Sequence, residues 1–72
     1  MKTRDEHLRW AKQRALEYLD RGELMNAFAS MGSDLRKHEE LKDIADTRMP
    51  FGMLYVMDRD AGQLRRWIER FN

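Results

Sequence analysis

The sequence contains no cysteine and a single proline, Pro50. Without cysteine no disulfide can staple the chain, and thiolate metal centres and cysteine nucleophiles are excluded. Neither sign of charge is in excess: 14 Lys and Arg stand against 13 Asp and Glu, a formal net charge of +1. A chain that coats nucleic acid is expected to be far more basic. No apolar run approaches the ~20 residues of a membrane span; the longest extends only from Met49 to Met57. The N-terminus shows no secretory signal, because Lys2, Arg4, Asp5 and Glu6 lead straight into an amphipathic pattern. Together these absences point to a cytoplasmic protein with no membrane partner.

What is present suits one small helical domain spanning residues 1–72. Hydrophobic residues make up 42% of the chain, too many for a disordered segment. A domain of this size buries only about 60% of the surface its unfolded chain exposes. Dense helix packing or oligomerisation must therefore supply its stability.

The first helix is predicted over 4–21. Thr3 and Glu6 have capping-box spacing, and Leu8, Ala11, Ala15, Tyr18 and Leu19 recur on one face at a helical period. Gly22 suits the left-handed residue that closes a helix. A second helix follows at 23–37, with Glu23 in its first turn and Leu24, Phe28, Met31 and Leu35 as its stripe. So short a connection makes the pair an antiparallel hairpin. Ala15, Tyr18, Gly22, Leu24 and Ala27 match half of a tetratricopeptide pattern, but any tight hairpin needs these residues, and one repeat cannot stand alone. Gly32, costly inside a helix, marks a close crossing.

Glu39, Glu40, Asp43 and Asp46, with Leu41 and Ile44, read as one or two loose turns. Pro50, suited to a first turn, opens a third helix at 50–58. Asp60, with Gln63 three residues on, caps a fourth at 61–71, whose stripe is Leu64, Trp67, Ile68 and Phe71. The expected fold is an all-α, small four-helix bundle that begins with the hairpin.

Met49 to Met57 is apolar on nearly every side. It is either a central core helix with methionines filling gaps or a segment that offers its spare face to another molecule. A strand here would also need a second molecule, having no partner in the chain. The second reading makes Phe51, Met53, Tyr55, Val56 and Met57 candidates for protein contact, with Met25 and Trp10 outlying. Trp10, one turn before Arg14, fits a binding hot spot and equally a core margin with a cation over the ring.

Arg65, Arg66 and Arg70, with Arg9 and Lys12, form an alternative nucleic-acid contact if the first and last helices adjoin. Glu69 among them favours an ordinary mixed-charge surface. Asp34 and His38 sit one turn apart as two metal ligands would, but a third is missing nearby. His7 has no partnered serine or cysteine, and no phosphate-cradling loop occurs. No enzyme, cofactor or metal is expected.

The stretch HLRWAKQRALEYLDRGELMNAFASMGSDLRKH (His7 to His38) and the segment WIERFN (Trp67 to Asn72) resemble a group of short helical proteins encoded in bacteriophage and prophage genomes. The resemblance covers about half the chain and brings no catalytic or binding residues with it. It implies a phage accessory protein in a bacterial host cell, acting by binding a host protein or itself. Inhibitors of host defences, CRISPR effectors among them, are one such class.

Overall fold

Four helices, α1 (Arg4–Asp20), α2 (Leu24–Arg36), α3 (Lys42–Met57) and α4 (Ala61–Glu69), make up the computed structural model, which describes residues 3–72. Lys2, part of the polar N-terminal run, lies outside the described residues.

The start of α1 follows from its first residues. The Thr3 hydroxyl accepts from the Glu6 amide, and the Glu6 carboxylate takes the Thr3 amide in return. Two of the donors that a helix start leaves open are thereby satisfied. Leu8, Ala11, Ala15 and Leu19 then bury one face. Ala15 and Ala27 are both fully enclosed, small residues that let α1 and α2 pack closely.

Both hairpin turns use one device. At the end of α1 the Gly22 amide donates to Leu19 and the Glu23 amide to Tyr18, with Gly22 left-handed at φ 78°. At the end of α3 the Arg59 amide donates to Val56 and the Asp60 amide to Tyr55, with Arg59 left-handed at φ 54°. These are Schellman closures. In each, the residue after the left-handed one is already the N-cap of the next helix. Asp60 completes its cap by accepting from the Gln63 amide at 3.0 Å.

The third helix departs from the sequence expectation. It begins at Lys42, eight residues before Pro50, so Asp43, Ile44 and Asp46 of the expected loose turns join the helix expected at 50–58, while Glu39, Glu40 and Leu41 stay in the turn before it. Proline in a helix interior removes a hydrogen bond and clashes with the preceding turn, costing about 3 kcal/mol. The compensation is visible one turn at a time. Leu41, Ala45 and Met49 recur at four-residue spacing and are all buried. Filling the core with a leucine and a methionine offsets a penalty of that size, at roughly 1.5–3 kcal/mol each. Pro50 itself faces solvent, where water can serve the carbonyl it leaves unpaired. The real break is the five-residue turn before the helix, where His38 Nδ1 accepts from the Glu40 amide at 3.1 Å.

α1 packs on α2 and α4, and α3 packs on α2 and α4, around a core completed by Met31, Leu35, Leu64, Trp67, Ile68 and Phe71. Phe28 stacks on Trp67, and Phe71 meets Trp67 edge-on. Tyr18, Leu24 and Phe28, expected in the stripes, are part-buried at the core margin. The end of α4 is held by cations from other elements. Lys12 donates to the Glu69 carbonyl at 3.0 Å, Arg48 to Arg70 at 3.3 Å and Arg4 to Asn72 at 2.7 Å. Cations at these carbonyls complement the negative end of the helix dipole.

Candidate protein-binding surface

The orientation of α3 is fixed by two inward residues. Met49 packs into the core beside Gly32, and Gly52 lies under the indole of Trp67. A Cβ at Gly52 would lie 2.6 Å from Trp67 Cζ2, so the approach exists only because that side chain is absent. With Met49 and Gly52 turned in, the helical period turns Phe51, Leu54 and Met57 out. They are 59%, 56% and 73% exposed, and Met25 on α2 is 53% exposed. Four large apolar side chains are thus left open on α3 and the start of α2; larger contiguous patches of this kind mark interaction sites.

Two depressions flank this ridge. On the α2 side, Gly22, Leu24, Met25, Val56 and Arg59 line a shallow one of about 370 Å³. On the α4 side, Thr47, Arg48, Phe51, Tyr55, Trp67 and Arg70 line a groove of about 340 Å³. Trp67 is anchored there by its indole N–H, which donates to the Arg48 carbonyl at 3.2 Å.

The sequence candidates divide across this geometry. Phe51 and Met57 lie on the ridge and Met25 beside the α2 depression. Met53, Tyr55 and Val56 are part-buried, and the last two pack against the core while lining the depressions. Leu54 and Arg48 were missed. Every position around Leu54 is apolar, so no polar face betrays the phase of the helix, and Arg48 falls in the stretch read as loose turns.

Trp10 lies elsewhere, half-buried between Arg14 and Lys37, whose cationic groups sit 5.0 and 5.6 Å from the ring centroid. The same two cations hold Asp34, which is 1% exposed: Arg14 Nε is 2.8 Å and Lys37 Nζ 3.3 Å from its carboxylate. Ser30 donates to it as well. The carboxylate suggested as a metal ligand with His38 is thus committed to a buried ion network. Among the described residues no three acidic, histidine or cysteine side chains could hold a metal ion. His7 Nε2 lies 2.6 Å from the Asp34 carbonyl, an acceptor, so this nitrogen carries the proton. A broader depression of about 770 Å³ lies beside these histidines, lined by Thr3, Arg4, His7, Lys37, His38, Glu39 and Glu40. Its walls mix both signs of charge.

The alternative basic face is brought together in part. α1 and α4 adjoin, so Arg9 and Lys12 lie on the same side of the molecule as α4. Lys12, however, is bound to the Glu69 carbonyl, and Arg65 donates to Asp20. Burial holds the Lys12 ammonium pKa below its ordinary value; nearby Glu69 opposes that shift and Arg48 adds to it. Arg9, Arg66 and Arg70 are exposed.

Comparison of the chain with family models, curated proteins and solved structures finds no match. No helix among the described residues is long and apolar enough to cross a membrane.

Proposed function

We propose that this chain is a non-catalytic binding module that docks another protein on the outer face of α3. The observation behind this reading is the ridge of Phe51, Leu54 and Met57, solvent-exposed on a helix whose opposite side is fixed in the core. Exposing such residues gives up burial free energy, about 25 cal/mol per Å² of apolar surface. A partner covering them recovers it. With the resemblance of His7 to His38 and of Trp67 to Asn72 to phage-encoded proteins as its motive, the partner proposed is a host bacterial protein.

The test is affinity capture from a bacterial lysate, comparing the native chain with a Phe51→Ser, Leu54→Ser, Met57→Ser variant. These residues point outward, so the variant should retain its helical signal and fold at assay temperature, with a melting temperature lowered by serine's weaker helix propensity. The expected result is a host protein held by the native chain and lost by the variant. Equal capture by both, or no capture by either, overturns the reading. The nucleic-acid alternative has less support, because Lys12 and Arg65 are engaged within the fold. A gel shift that weakens steeply with salt would restore it.

A further inference from the structure

The groove between α3 and α4 says more about the partner than the ridge does. It has an apolar floor and wall, made by Trp67, Tyr55 and Phe51, and two of its remaining lining residues are arginines, Arg48 and Arg70. No acidic residue lines it. Arg66 stands one helical turn before Arg70 and is exposed like it. Elsewhere on the protein Arg14 is matched with Asp34, Arg36 with Asp46 and Arg65 with Asp20, while Arg9 and Arg59, like the groove arginines, form no ion pair among the described residues. Among the described residues Arg48, Arg66 and Arg70 form no ion pair, although Arg48 donates to a carbonyl and lies over the Phe71 ring. Two guanidinium groups without carboxylates, Arg48 and Arg70, thus line an apolar groove of about 340 Å³, and Arg66 stands one helical turn away on α4.

We infer that this groove receives a bulky apolar side chain flanked by carboxylates, from an acidic segment of the partner protein. The inference rests on the protein-binding reading above and deepens it. Arginine is suited to the role, because its planar fork can take a carboxylate through two parallel hydrogen bonds. The direction of the segment follows from the remaining charges. Asp43 and Asp46 lie near one end of α3 and Asp58 at the other, all exposed. An acidic segment laid along α3 would meet them. One that crosses α3 toward α4 brings its apolar side chain over Phe51 and its carboxylates to Arg70 and Arg66. A nucleic-acid strand would also seek these arginines, but it gains little from Leu54, Met57 and Met25 on the adjoining ridge.

A random peptide display library selected against the full chain tests this. The expected consensus places Asp or Glu beside Phe, Leu or Trp. In a ¹⁵N spectrum such a peptide should shift the Trp67 indole signal and leave that of Trp10 in place. Arg70→Glu, at a side chain with no internal ion pair, should weaken binding about tenfold or more while the helical signal holds. Arg66→Glu should weaken it less. Raising salt should weaken the native complex.

A neutral or basic consensus, no enriched sequence, or unchanged affinity in Arg70→Glu overturns the inference. So does a thymidine oligonucleotide that shifts the Trp67 indole more tightly than any selected peptide, or a second copy of the chain found on the groove. A host protein lost by the ridge variant but retained by Arg70→Glu would leave the binding module standing and remove only the acidic partner.

Discussion

Gly32 and Gly52 look alike in the sequence, each a glycine inside a helix, yet the structure gives them different consequences. A Cβ at Gly32 would come 2.6 Å from Met49 Cε, the free end of a flexible side chain. Met49 can swing aside, and the helix gains up to about 1 kcal/mol in propensity, so Gly32→Ala should be close to neutral. At Gly52 the same atom meets three carbons of the Trp67 ring at 2.6–2.8 Å. That ring is held by Phe28, Phe71 and its own hydrogen bond to Arg48. Gly52→Ala should therefore cost about 1–3 kcal/mol, and each kcal/mol lowers the melting temperature of a domain this size by about 4–8 °C. Thermal denaturation of the two variants side by side checks the contrast; equal losses would refute it. Arg59 gives the opposite sign. A non-glycine residue in the left-handed region carries strain of about 1 kcal/mol, so Arg59→Gly should raise the melting temperature, and a fall would show that its side chain does more for the turn than its backbone costs.

At the scale of elements, legibility tracked the kind of signal involved. The α1 cap, the Gly22 closure and the Asp60 cap were readable because each is a local rule: a given side chain at a given offset satisfies a given backbone group. The stripe of α4 was readable because its polar face contrasts with its apolar one. α3 broke both conditions. Pro50 is a strong local signal for a boundary, and only long-range burial of Leu41, Ala45 and Met49 overrides it. Beyond the proline, apolar residues all round erase the phase, which is why Leu54 went unnoticed while buried Gly52 was not recognised as the inward position. Arg59 closes α3 in the conformation that Gly22 adopts after α1, with no glycine to announce it.

The cost of Pro50 within α3 can be measured directly. If burial upstream is what holds the helix through Pro50, replacing the proline removes a penalty without touching the contacts. Pro50→Ala should stabilise the protein by about 2 kcal/mol, most of the penalty usual for proline in a helix interior. Chemical denaturation should show a higher midpoint at an unchanged slope. A loss of stability would mean that the chain depends on a bend at this point.

For the whole molecule the issue is how an exposed apolar ridge behaves when no partner is present. The ridge invites pairing with a second copy, and a two-fold axis at α3 offers two choices that charge distinguishes. A parallel pairing sets Asp43 and Asp46 against their own copies, and Lys42 and Arg59 against theirs. An antiparallel pairing sets exposed Arg59 toward Asp43 and exposed Lys42 toward Asp58. Asp46 is partly offset by Arg36 at 3.2 Å, while Asp43 and Asp58 form no ion pair among the described residues. Salt screens such interactions over roughly 10 Å at 0.1 M. Self-association of the antiparallel kind should therefore weaken as salt is added, and of the parallel kind strengthen, which sedimentation analysis across a salt series reads directly. A dimer whose stability ignores salt would contradict the placing of these charges at the two ends of the ridge.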